Sequence, residues 1–188
     1  MTSNIRDIAF QLRQGQLIAL ADETGWSVAA DPVNDTAVAQ LLTLVPVMPS
    51  GLQPTVLIQN ADQLVLYVAK MPDIAYDLVE FAENPLTVLY EQGKNLSSLL
   101  WSSDAQPGTV REVNSVGEVA VRRSLDAGVQ RLIGGFGRGL ITIPFESSQL
   151  PPAVETLISG RFGTLPGMPK RPRIMRLRAN GEVSFIRK

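Results

Sequence analysis

The sequence contains no histidine and no cysteine. It therefore lacks the commonest general base, thiolate nucleophiles, Cys-rich zinc sites and disulfides. Any chemistry must run on carboxylates, hydroxyls, lysine and arginine, or on a bound nucleotide. The densest group of such residues is Asp22-Glu23-Thr24, followed by Gly25 and Trp26. It stands between Leu17 to Leu20 and Trp26 to Ala30, two apolar runs that read as short strands. A strand, an acid-hydroxyl turn, an aromatic and a second strand make a place where an α/β domain grips a small polar ligand. Asp22 and Glu23 are adjacent, and successive side chains on a strand point to opposite faces. Turn and capping hydrogen bonds therefore explain the pair better than joint acid–base or magnesium chemistry.

Two other groups carry possible chemistry. Gly134-Gly135-Phe136-Gly137-Arg138-Gly139 could turn backbone N–H groups toward a phosphate, but it matches no nucleotide fingerprint and precedes a strand instead of a helix. A helix-to-strand turn is the better reading, since glycine serves turns by default. The C-terminal stretch 161–188 holds eight basic residues against the single acid Glu182, a local excess of +7 within a chain of net charge −1. Clustered cations attract phosphates and release their counterions. Arg171, Arg173, Arg176 and Arg178 are thus the candidate contacts to an RNA backbone, with a solvated tail balancing an acidic body as the alternative. Alternation puts Arg176 and Arg178 on one face of a strand and Arg173 and Met175 on the other.

These residues must be positioned by alternating helices and strands. Ser3 is a candidate cap for a helix with Ile5, Ile8, Ala9 and Leu12 at helical spacing, and Gly15 stops it. Asn34 precedes a helix through Leu42, and Pro54 to Ile58 reads as a strand. Residues 61–68 and 74–81 read as helical, with strands at Leu86 to Tyr90, Val110 to Val113 and Glu118 to Arg122. Ser124 is the candidate cap of a helix from Leu125 to Leu132, followed by a strand from Leu140 to Ile143. Pro151-Pro152 opens a helix through Leu157, and 160–172 reads as irregular. A closing hairpin runs from Arg173 to Leu177 and from Val183 to Ile186. Residues 91–108 read as a surface excursion in which Leu99-Leu100-Trp101 packs down. Most aromatics sit in apolar stretches and are expected in the core.

The segment Ala21-Asp22-Glu23-Thr24-Gly25-Trp26-Ser27 resembles the Pro-Thr-(Asp/Glu)-Thr-x-Tyr-Gly signature of the YrdC-like family, the threonylcarbamoyl-adenylate synthases of tRNA modification and related translation factors. Glu23 and Thr24 match, and Trp26 stands for the tyrosine. Asn84-Pro85-Leu86-Thr87 resembles the family's Gly-Pro-x-Thr, and Val119-Ala120-Val121-Arg122 its strand ending in arginine. The order of landmarks extends over nearly the whole chain. The resemblance implies one YrdC-like α/β domain over residues 1–188, a twisted mixed sheet flanked by helices with a concave cleft. It implies ligand contacts at Glu23, Thr24, Trp26, Thr87 and Arg122, with Trp26 positioned to stack on adenine or simply buried. It also implies ATP with Mg²⁺ as cofactors, and tRNA or duplex RNA as a partner.

The departures fall where chemistry is expected. Val45 and Val47 align with the family's Lys-x-Arg, and Pro144 and Glu146 with its Ser-x-Asn. Stabilising developing phosphoryl charge needs cations or a metal beside the phosphates. The expectation is a divergent member that binds RNA or a nucleotide and has lost the synthase reaction. The alternatives are an active synthase using ATP, threonine and bicarbonate, with Arg111, Arg122 or the C-terminal cluster supplying the cations, and a protein-interaction domain without catalysis. At 188 residues, 45% hydrophobic and 19% charged, one core is the default. The apolar runs fall far below the roughly 20 residues needed to span a bilayer, and the N-terminus shows no signal-peptide pattern, so a cytoplasmic protein is expected. Val45-Pro46-Val47-Met48-Pro49, if exposed, would be a subunit contact in a homodimer.

Overall fold

The architecture follows from hydrophobic stripes of two periods, one helical and one alternating. It is described from a computed structural model over residues 4–101 and 117–188. Helix α1 (Ile5–Arg13) buries Ile8, Ala9 and Leu12. Its cap is Asn4, whose side chain accepts from the Arg6 N–H, while Ser3 lies outside the described residues. Strands β1 (Leu17–Asp22) and β2 (Gly25–Ala30) form a hairpin closed by the two-residue turn Glu23-Thr24. Gly25 takes φ +99, a left-handed conformation that favours glycine. Helix α2 (Asp35–Leu42), capped by Asn34, leads to β3 (Thr55–Ile58). The short α3 (Leu64–Tyr67) and α4 (Ile74–Glu80) follow, then β4 (Leu86–Tyr90) and β5 (Val119–Arg123). The expected strand at Val110 to Val113 lies outside the described residues.

Helix α5 spans Ala127–Phe136 and is capped by Asp126, whose carboxylate accepts from the Val129 N–H, so Ser124 is not its cap. Gly134 and Gly135 belong to its last turn, and the glycine-rich turn shrinks to the left-handed Gly137 and its two successors. After β6 (Leu140–Pro144), the helix opened by Pro151-Pro152 is a single turn, α6 (Pro152–Glu155). The stretch read as irregular contains a further strand, β7 (Ile158–Phe162), parallel to β1 at the sheet edge. Gly160 inside it leaves room for Gln11 of α1, whose Oε1 a Cβ there would approach to 2.7 Å. The closing hairpin is β8 (Arg173–Leu177) and β9 (Val183–Arg187).

The nine strands make one mixed sheet in the order β7-β1-β2-β6-β3-β5-β4-β8-β9. On one face, Val28, Val56, Val121 and Ile141 join α2, α3 and α4 in the larger core. On the other, Ile18, Leu20, Leu57 and Leu140 meet α1 and α5 in a smaller one. Leu99 and Leu100 do pack against the larger core. Tyr67, Tyr90, Phe136 and Phe145 are buried, as expected of most aromatics, while Phe10 and Phe185 are exposed, as are Tyr76 and Phe81. Their neighbours Ala75 and Val79 take the inward positions of α4. None of the described helices is long and apolar enough to cross a membrane.

Candidate functional site

Helices α1 and α5 cover their sheet face from β1 across to Leu140 of β6 and Leu57 of β3. Beyond them the alternation continues, so the partners of Leu57, Leu140 and Ala120 two residues along the same strands share that face. These are Thr55, Thr142 and Arg122. Register sets Thr55 opposite Thr142, Thr87 opposite Arg122 and Leu89 opposite Arg176. With the Thr24 turn at one side and Pro172 and Ile186 at the other, they line a cavity of about 310 Å³. This is the concave cleft, at the lower end of the size range of small-molecule sites.

The hairpin turn is held to β5 through Arg122. Its guanidinium donates from Nη2 to Asp22 Oδ2 at 2.8 Å and from Nη1 to Glu23 Oε1 at 2.9 Å. Asp22 also accepts from the Thr24 N–H (2.9 Å) and the Thr24 hydroxyl (2.7 Å), which fixes the turn. Glu23 accepts from the Leu125 N–H at 3.0 Å. Burial opposes the charge on Arg122, but Asp22 and Glu23 outweigh it and hold the guanidinium protonated, above its ordinary value. Burial first, and then the Asp22 carboxylate, push the Glu23 carboxyl up, with Arg122 and the Leu125 N–H working against them. Adjacent carboxylates on opposite faces was thus too simple an expectation: at the end of β1 the turn wraps both around one guanidinium.

The opposite wall has its own ion pairs. Arg187 donates to Glu146 and also to the Pro172 carbonyl, at 2.9 Å from Nε. Glu146 sits at φ +53, a strained conformation for a non-glycine residue that its partners hold in place. A bulge between β8 and β9 skips Ile186: Ile174 pairs with Arg187, and Met175 with Phe185. Such a bulge re-aims side chains. Here Ile186 lines the cavity while Arg187 reaches Glu146. Arg176 donates to Glu118 at 2.8 Å.

The structure brings Thr24, Thr87 and Arg122 to the cavity lining and sets Glu23 behind Arg122 as its ion-pair partner, but it does not bring Trp26 there. Trp26 lies on the sheet face of Val28 and Ala30, is absent from the cavity lining, and carries the Arg161 guanidinium 5.5 Å from its ring centre. Of the candidate RNA contacts, Arg176 turns into the cleft, and Arg178 pairs with Glu91 and Glu182. Arg171 stands 4.0 Å from Glu146 and is otherwise exposed, and Arg173 lies over Phe185. Acids on other elements thus offset much of the local positive excess. Val45 and Val47 fall in a 3-10 turn off the cleft, whereas Pro144 and Glu146 do line it. Val47 is exposed, and Val45 and Met48 pack on the core. Sequence reasoning missed Thr55, Thr142, Glu118 and Arg187. The two threonines were findable from strand alternation, while the ion pairs join elements remote in sequence.

Residues 11–157 match the model of the family described as telomere recombination, Sua5/YciO/YrdC. The chain belongs to this family. No curated protein matches the sequence. Among solved structures, E. coli YciO is similar at 15% identity and TM-score 0.69, covering 98% of this chain and 88% of YciO. P. abyssi Sua5 complexed with L-threonine is similar at 20% identity and TM-score 0.66, covering 92% of this chain and 50% of Sua5. Full-length HypF in a phosphate- and nucleotide-bound form is similar at 16% identity and TM-score 0.66, covering 98% of this chain and 29% of HypF. The chain thus spans half the length of the Sua5 protein it matches. At these identities the likeness establishes the fold, that of a single YrdC-like domain.

ATP with Mg²⁺ is the group the family resemblance implies, and the donor set does not fit it. Among the described residues the cavity's charged side chains are Glu118, Arg122, Glu146 and Arg176, two of each sign, and each is already in an ion pair, while Arg111 lies outside the described residues. Among the described residues no group of three or more carboxylates could hold a metal ion.

Proposed function

We propose that this YrdC-like domain binds the nucleoside part of a nucleotide or RNA in its cleft and does not form threonylcarbamoyl-adenylate. One observation carries this reading: Arg122, the buried cation of the cleft, is held by both Asp22 and Glu23. A phosphate arriving there meets a guanidinium whose charge is already compensated, so the electrostatic stabilisation that adenylate formation needs is absent. The remaining lining suits an uncharged ring system. Leu52, Leu89 and Ile174 supply apolar surface, while Thr87 and Gln53 supply polar groups. A few polar groups set in an apolar wall give orientation without demanding charge.

Calorimetric titration with adenosine, AMP and ATP, beside a pyrophosphate-release assay with ATP, threonine and bicarbonate, tests this. Adenosine and ATP should bind within a few-fold of each other, and pyrophosphate should stay at background. ATP binding far tighter than adenosine, or robust threonine-dependent pyrophosphate release, would return the domain to the active synthases.

A further inference from the structure

On the sheet face opposite the cleft, α3 and α4 present an outer surface whose composition their inward packing does not explain. Helix α4 turns Ala75 and Val79 into the core, with Leu78 beside them. That leaves Ile74 and Tyr76 exposed, and Phe81, just past the helix, 74% exposed. Val65 on α3 is 54% exposed. A seven-residue helix ordinarily places its large apolar residues inward and its small ones outward, and here the order is reversed. Ile74 and Phe81 lie two turns apart on one stripe of α4. The 3-10 turn Ala61–Gln63 that leads into α3 packs against α4, which brings Asp62 beside the α4 residues.

Carboxylates rim this apolar surface. Asp73, Asp77 and Glu80 follow one another at helical spacing along α4, and Asp62 approaches from the turn before α3. Among the described residues none of these acids has an ion-pair partner, unlike Glu118 and Glu146, which are bound to arginines. Asp62 first, then Glu80, raise the Tyr76 hydroxyl above its ordinary value, which is the sign of an unneutralised negative field. An apolar patch with a rim of one charge marks a protein-binding surface, and the rim selects a partner of the opposite charge.

We propose that the outer face of α3 and α4 docks a cationic amphipathic helix of a partner protein, with Phe81 and Ile74 against its apolar stripe and the α4 carboxylates against its lysines or arginines. Recognition of an amphipathic helix reads apolar anchors at helical spacing, and Ile74 and Phe81, seven residues apart, offer such a stripe a two-turn pair. Complementary charge gives orientation and speed of encounter, while the desolvated apolar anchors carry the affinity. This surface is separate from the cleft and does not depend on what the cleft binds.

Fluorescence anisotropy with a labelled synthetic leucine–lysine amphipathic helix tests the proposal, beside a leucine–glutamate helix of the same pattern and an oligolysine without an apolar stripe. The leucine–lysine helix should bind saturably and the other two should not. Phe81→Ser combined with Ile74→Ser should weaken binding at least about tenfold, as loss of central anchors does. Asp77→Lys combined with Glu80→Lys should weaken it similarly. Ile74, Asp77 and Phe81 are exposed and Glu80 is half-buried, and circular dichroism should show both variants folded. Oligolysine binding equal to that of the amphipathic helix would overturn the proposal, as would affinity indifferent to Phe81 and Ile74. A dimer in light scattering that Phe81→Ser disperses would also overturn it, assigning the face to a second copy.

Discussion

Replacing Glu23 with glutamine removes one of the two negative charges that hold Arg122 while keeping side-chain size and a carbonyl acceptor. Asp22 remains on the guanidinium at 2.8 Å, so the buried cation is still compensated. The penalty of about 3–5 kcal/mol for stranding a buried charge does not arise. Burial and Asp22 both disfavour the charged form of Glu23, so the neutral amide also relieves an unfavourable charge. The two effects nearly cancel, leaving a net change within about 1 kcal/mol, or about 2–4 °C in melting temperature for a domain of this size. Asp22→Asn is the contrast. That carboxylate is 1% exposed, accepts from Thr24 twice and anchors Arg122, so its loss should cost about 3–5 kcal/mol. The functional effect of Glu23→Gln is the larger one. Two unit charges about 4 Å apart interact by about 4 kcal/mol at an effective dielectric of 20, and recovering a third of that for an incoming anion gives roughly a tenfold gain in affinity. Calorimetric titration with sulfate at low ionic strength, beside thermal melts, reads both numbers. Unchanged sulfate affinity would refute the idea that Glu23 occupies an anion position and leave Arg122 as a cross-link between hairpin and sheet.

Sulfate keeps its charge across the relevant range, so its binding to the wild type should strengthen as pH falls and Glu23 takes up a proton; Glu23→Gln should flatten that dependence. The folded Glu23 lies above its ordinary 4.5, so its stabilising contribution is fully present below 4.5 and is lost as pH rises through the folded value, which melts across that window check. Gly25→Ala should lower the melting temperature by at least about 4 °C, since the alanine must adopt φ +99 with its Cβ 2.6 Å from the Ser147 carbonyl oxygen. In gel-shift assays with duplex RNA at low salt, Arg171→Gln with Arg173→Gln should weaken any binding several-fold, each lost phosphate contact lowering the salt slope by roughly 0.9. Arg176→Gln should leave that salt slope unchanged, because Arg176 is turned into the cleft and paired with Glu118, away from the surface phosphate contacts.

Local pattern alone determined much of this protein. The Leu17–Ala30 hairpin, the β4 strand at Leu86–Tyr90 and the closing hairpin are legible because apolar alternation and turn residues act within a few positions of one another. The absence of histidine and cysteine narrowed the chemistry before any fold was considered. The order of short motifs carried the family, and the resemblance named Arg122 and Thr87 as cleft residues, which the β4–β5 register sets opposite one another. Tertiary structure alone decided what that face can do. Arg122 is 99 and 100 residues from the carboxylates that neutralise it, and Arg187 is 41 residues from Glu146. Charge counted along the chain made the C-terminal segment a basic surface, whereas folding placed Glu91, Glu118 and Glu146 against its arginines. Trp26 matched its motif position yet went to the opposite face of the sheet, because side-chain direction on a strand is fixed by register to its neighbours and not by residue type. Secondary structure is a short-range property that sequence encodes directly, while the potential inside a cleft is a sum over charges that only the folded chain brings together.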